Sequence, residues 1–223
     1  MGRAAAGSLA NQVPPARCEQ HTIPPVAGTD VQKEKRRLIL RAAIRVFAEK
    51  GYHTCRVQDV ATEAGVAYGL VYHYFGSKEE LLETIFRRTW TRMLGAVQEV
   101  ELSGAPAREQ LAQVAHIVLS AWQGDPDLVR VLVREVARSP HLQQEVDEIQ
   151  NAFAALERIV VQGQSAGELR NDLDPRLAAW ILYGALEEIL TGWVYERLPA
   201  GEGDVEAAER TVVELLYLGL VTR

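Results

Sequence analysis

The sequence predicts an all-α fold in two parts, a small N-terminal helical domain followed by a larger helical one. Three observations predict it. Apolar residues recur at three- and four-residue steps from Lys33 almost to the end, no stretch alternates as a strand would, and charge divides sharply along the chain. Residues 30–78 carry nine Lys/Arg against five acids, whereas residues 79–223 carry 13 against 24, within a net charge of −6. A basic module joined to an acidic one is the distribution expected where only one end of a protein meets a polyanion.

Taken in order, residues 1–31 are rich in Ala, Gly and Pro, show no period, and are expected to be a flexible arm. A first helix starts at Lys33, with Leu38, Ala42, Val46 and Phe47 on its apolar side, and ends at Gly51, which tolerates positive φ. A second spans 57–64, with Val60, Ala61 and Ala64 inward, and stops at Gly65; a third spans 68–75 and stops at Gly76. Ser77-Lys78-Glu79-Glu80 is a capping box that opens a fourth helix over 77–92, through Leu81, Leu82, Ile85, Phe86 and Trp90. Beyond Gly104, helices are expected over 107–123, 127–138, 141–166, 176–195 and 205–221. Gly124-Asp125-Pro126, Ser139-Pro140 and Gly167 separate them, and Asp174 is an N-cap before Pro175 at N1. The domains are therefore expected to be 1–31, 32–78 and 79–223.

Several function classes are disfavoured. Cys18 and Cys55 are too few for a disulfide framework and lack zinc-site spacing, which fits a reducing cytoplasm. The N-terminus has no apolar signal core, and no uncharged apolar run approaches the ~18 residues of a membrane span. Glu187-Glu188, Asp172, Asp174, His116 and His141 are the catalytic residue types available. No pair has metal-ligand spacing, and there is no nucleophile elbow or Gly-rich phosphate loop, so no enzyme, metal or cofactor is expected.

Two short helices joined by the tight Ala64-Gly65-Val66 turn inside a basic three-helix unit are what a helix-turn-helix requires. The longer run Gly51-Tyr52-His53, then Val57-Gln58-Asp59-Val60-Ala61-Thr62-Glu63-Ala64-Gly65-Val66-Ala67-Tyr68-Gly69-Leu70-Val71-Tyr72-His73-Tyr74-Phe75-Gly76-Ser77-Lys78-Glu79-Glu80-Leu81-Leu82, resembles the N-terminal signature of the TetR family. That resemblance implies a three-helix DNA reader, a helical dimerisation and ligand domain, and repression of an operator relieved by ligand. The recognition helix would be the segment from Ala67 to Phe75. Tyr68 offers a hydroxyl and ring to base edges, Leu70 an apolar contact, and Gly69 a close backbone approach. Tyr72, His73 and Lys78 suit phosphate oxygens, the last adding a helix N-terminus. Arg56 stands where the family commonly has a capping Ser or Thr; it can bind phosphate instead, or Thr54 can cap a shifted start. Tyr74 and Phe75 are expected in the core, and His53 at the surface. Lys35, Arg36, Arg37 and Arg41 form either a solvated face or a phosphate-binding one.

In the larger domain, the last two helices are apolar on more than one side, through Leu177, Trp180, Ile181, Gly184, Ile189 and Trp193, then Val205, Val212, Leu215, Leu216 and Leu220. One front suits the core and the other a second copy across a two-fold axis, giving a homodimer on double-stranded palindromic DNA. Trp122, Phe153, Leu156, Trp180, Tyr183 and Trp193 are candidates to line a pocket for a small apolar effector. The stretch Gly163-Gln164-Ser165-Ala166-Gly167-Glu168-Leu169, with Tyr183-Gly184-Ala185-Leu186-Glu187-Glu188 and Trp193, resembles fatty-acid-responsive TetR members. That likeness implies an acyl-coenzyme A effector whose phosphates Arg130 or Arg134 could meet. The helix over 77–92 would carry the signal to the reader. Control by a protein partner, without a small-molecule ligand, is the alternative.

Overall fold

The structure is a computed structural model and describes residues 27–136, 147–201 and 203–221. Among them the helices are α1 (Ala27–Lys50), α2 (Val57–Glu63), α3 (Tyr68–Phe75), α4 (Lys78–Glu101), α5 (Ala107–Gly124), α6 (Pro126–Val136), α7 (Asp147–Ser165), α8 (Pro175–Val194) and α9 (Asp204–Leu220). No strand occurs among the described residues beyond an isolated bridge between Leu169 and Val221. Most of the expected arm and the expected helix limits at Arg138 and His141 lie outside the described residues.

Two helices run longer than their patterns suggest. Helix α1 begins at Ala27 rather than Lys33, once past the helix-breaking Pro24-Pro25; Asp30 in its first turn favours the helix dipole and pairs with Lys33 at 3.9 Å. Its buried side is Ile39, Ala42, Ala43, Val46 and Phe47, and Leu38, expected inward, is exposed. Helix α4 continues past Arg92 to Glu101, because Gly95 costs a helix only about 1 kcal/mol and Val97 and Val100 find a second core to enter.

The first core joins α1, α2, α3 and the start of α4 around Phe47, Val60, Val71, Phe75, Leu81 and Phe86. It does not stop at these N-terminal helices, since Leu128 and Val131 of α6 and Ala152 of α7 belong to it. The second core fills the space between the rest of α4 and α5, α7, α8 and α9 with Leu111, Leu119, Ile159, Leu182, Leu186 and Val212. Arg158 of α7 braces α4 by a bidentate pair to the buried Glu101, at 2.5 and 2.8 Å.

The segment from Gly163 to Leu169 is a structural joint. A Cβ on Gly163 would come within 2.7–2.9 Å of Leu169 and Ala107, so only glycine lets α7 pass so near the start of α5. Gln164 Nε2 donates to the carbonyls of Arg170 and Leu173, and Glu168 Oε2 accepts from the otherwise unpaired Ala107 N–H. Helix α8 is long and apolar enough, by length and composition, to cross a membrane. In this fold it buries Ala178, Leu182, Leu186 and Trp193, and leaves Leu177, Trp180 and Ile181 exposed.

Candidate DNA interface and ligand pocket

Helices α2 and α3 meet at the Gly65 turn. Gly65 has φ +64°, Val66 N–H donates to Ala61 O at 3.0 Å, and Val57, Val60, Val71 and Phe75 bury both helices in the core they share with α1 and α4. What remains outside is the expected reading surface: Ala67, Tyr68, Gly69, Tyr72 and His73 are exposed, and Leu70 is half-buried. Tyr68 and Tyr72, one turn apart, have hydroxyls 3.1 Å from each other and ring centroids 5.0 Å apart. Their hydrogen bond leaves one phenolic proton to donate outward and pushes the Tyr72 phenol above its ordinary range. A Cβ on Gly69 would meet nothing within 4 Å, so its bareness serves no intramolecular packing.

Arg56 is exposed at the N-cap of α2 and supplies no side-chain cap. Asp59 compensates by accepting from the Arg56 N–H at 2.7 Å, while also pairing with Lys50 at 2.7 Å. The Lys50 bond, then the Arg56 N–H, hold the Asp59 carboxyl below its ordinary range. Thr54, considered as a cap for α2, instead donates to Lys50 O and Gly51 O at the end of α1. Lys78, expected at phosphate, turns inward: its Nζ donates to Tyr52 O at 2.7 Å and Cys55 O at 3.3 Å, and lies 4.5 Å from the Tyr52 ring centre. Its charge satisfies the carbonyls of the α1–α2 loop, a demand that no local sequence pattern announces. On the basic face, Arg36 lies 5.1 Å over the Phe75 ring, while Arg37 and Arg41 flank Glu34 at 3.7 and 3.6 Å.

In the larger domain a cavity of about 380 Å³ opens between α4, α5, α6 and α8, a size ordinary for small-molecule sites. Its wall is Trp90, Met93 and Ala96; Ile117, Val118 and Ala121; Val129, Leu132 and Val133; and Leu190. Thr89, Arg92, His116, Ser120, Tyr183 and Glu187 are the polar members. Partial desolvation beside this wall, then Glu188, push the Glu187 carboxyl upward, although the residue is exposed.

Of the residues expected in a pocket, Tyr183 lines this cavity. Phe153 and Leu156 join it only around a small adjoining void. Trp122, Arg130 and Trp193 line a separate surface cleft, with Arg130 5.3 Å over the Trp122 ring and tied to Asp127. Trp180 is 53% exposed and stacks on Phe153 at 4.3 Å, outside the cavity. Arg134 also lies elsewhere, donating to Ala48 O at 3.0 Å, and beside it Glu135 pairs with His53 at 3.3 Å. The aromatic residues attract attention in a sequence, but the cavity is walled mainly by aliphatic side chains whose inward direction depends on four helices at once. Among the described residues, no three of His, Cys, Asp and Glu gather as a metal site would need.

Comparison with known proteins covers both halves of the chain. Residues 39–85 match the bacterial regulatory proteins of the tetR family, and residues 86–218 match the YsiA-like protein C-terminal region. The fatty acid metabolism regulator protein of Bacillus subtilis (strain 168) is 34% identical over 184 residues, 82% of this chain and 93% of that protein. The HTH-type transcriptional repressor KstR2 of Rhodococcus jostii (strain RHA1) is 28% identical over 90% of this chain and 98% of its own length. Among solved structures, the transcriptional regulator FadR from Bacillus subtilis in complex with stearoyl-CoA superposes with a TM-score of 0.73 at 33% identity. That match covers 82% of this chain and 98% of FadR.

Proposed function

Because this chain belongs to the TetR family of DNA-binding bacterial regulators, we propose that it is a cytoplasmic homodimeric repressor released from a palindromic operator by a long-chain acyl-coenzyme A. The observation that carries this reading is the apolar cavity of about 380 Å³, set against the two helices that reach the reader. Its aliphatic wall suits an acyl chain, and a chain that size gains by leaving water. Arg92, a cavity residue that the aromatic pattern did not suggest, supplies a cation for a coenzyme phosphate on the α4 side. In the adjoining groove between α4, α5 and α9, Glu99, Glu109 and Glu209 would repel it. FadR of Bacillus subtilis, similar over most of its length, was solved with stearoyl-CoA. The cavity favours this effector over control by a protein partner alone.

The dimer rests on the exposed half of α8 and α9: Leu177, Trp180, Ile181, Leu215 and Leu218 are all more than half exposed, a contiguous kind of surface that a lone chain seldom keeps. A second copy buries it and sets two readers about one DNA turn apart, ~34 Å. Tyr68, Gly69, Leu70 and Ala67 then face base edges, and Tyr72, His73 and Arg56 the phosphates. Ligand favours a dimer whose reader spacing does not fit adjacent major grooves, and release extends only as far as the ligand prefers that spacing.

A band shift at fixed salt, on DNA from upstream of the protein's own gene, tests the reading. Sequence-specific binding lost on adding stearoyl-coenzyme A is expected. Specific binding that no acyl-coenzyme A alters would retain the repressor and refute the effector.

A further inference from the structure

Tyr183 stands on α8 with its ring packed between Trp90 and Phe153, whose centroids lie 6.2 and 4.7 Å away. These contacts fix the ring where it lines both the main cavity and the small void beside it. The hydroxyl has no hydrogen-bond partner among the described residues. Burial, then the Glu187 carboxylate, raise the phenol well above its ordinary range, so the group keeps its proton and presents a donor. A hydroxyl beside an apolar wall becomes costly to leave unpaired once a ligand displaces water from the cavity. The nearby Leu132 and Leu190 offer no acceptor, and Glu187 acts on the phenol through its charge without a hydrogen bond.

We propose that the Tyr183 hydroxyl donates a hydrogen bond to the carbonyl oxygen of the bound effector, so that the pocket selects acyl compounds against equally long alkyl ones. This rests on the acyl-coenzyme A reading and adds a selectivity that an aliphatic cavity cannot supply. Apolar walls discriminate weakly between chains of equal length, whereas a buried donor left unpaired penalises the ligand that lacks its acceptor.

The test is isothermal titration of the full chain with palmitoyl-coenzyme A and with S-hexadecyl-coenzyme A, a thioether without the carbonyl oxygen. The wild-type protein is expected to bind the acyl compound about 10-fold more tightly, the size of one well-placed hydrogen bond. Tyr183→Phe is expected to bring that ratio to within about two-fold, since it removes the donor and keeps the ring. A wild-type ratio near one overturns the inference without any variant and leaves the acyl-coenzyme A reading standing. A ratio that survives in a folded Tyr183→Phe protein also overturns it, because another group must then read the carbonyl. If neither compound binds, the acyl-coenzyme A reading fails and this inference fails with it.

Discussion

Arg134 of α6 donates from Nη1 to the main-chain oxygen of Ala48 in α1, at 3.0 Å. This bond joins the helix that walls the cavity through Val129, Leu132 and Val133 to the helix that carries the DNA reader. One residue on, Glu135, buried, meets His53 in the loop that follows α1. Were α6 to shift on filling of the cavity, this bond would pass the movement to α1.

Removing that bond should weaken communication more than binding. Arg134→Ala is expected to lower the ratio of operator affinities without and with saturating acyl-coenzyme A by about five-fold, a modest part of a typical coupling. Fluorescence anisotropy on labelled operator, with ligand binding measured separately, gives both quantities. An unchanged ratio would mean that this bond does not carry the signal.

Gly65 holds φ at +64° with nothing crowding the place of a Cβ. Gly65→Ala should therefore cost backbone strain only, about 1 kcal/mol. Urea denaturation would register this as a lower midpoint at an unchanged slope. A loss several times larger would indicate a packing role that the open space around Gly65 contradicts.

Asp59 supplies a pH dependence with a definite sign. Its folded carboxyl lies below the ordinary value of 3.8, through Lys50 first and the Arg56 N–H second. Stabilisation from it is therefore complete above the ordinary value and disappears as pH falls through the lowered folded one. Asp59→Asn should be less stable than the wild type at pH 7, with the gap closing below about pH 4. Melting temperatures across pH 3–7 would check it, and a gap independent of pH would contradict it.

Charges placed on the exposed apolar face should separate two copies without touching either core. The double variant Ile181→Glu, Leu215→Glu alters side chains 60% and 70% exposed. Sedimentation should give a folded monomer whose operator affinity is at least ~100-fold weaker, because one reader loses the phosphate contacts of its twin. A variant that stays dimeric would move the interface elsewhere.

Much of the fold was legible because its signals are local. Ser77 caps α4 by accepting from Glu80 N–H at 3.0 Å, and Asp174 caps α8 with Pro175 behind it, as their spacings imply. The exposed face of α3 was legible for the same reason, since a glycine turn and a buried Val71–Phe75 side determine which residues face out. The cavity was not legible. Leu132 and Val133 look like core residues on any helix, and only the meeting of α6 with α4, α5 and α8 leaves space beside them. The inward turn of Lys78 was not legible for a related reason: carbonyls 23 and 26 residues upstream draw it inward, and sequence spacing does not encode that approach.

The core shared by Phe47, Val60 and Phe75 with Leu128, Val131 and Ala152 makes the reader a poor candidate for excision. A fragment ending near residue 78 would present raw apolar surface where α4, α6 and α7 had been. The DNA-binding end and its regulator should then melt together as one cooperative unit, and any mutation that loosens α6 will be felt as a less durable reader.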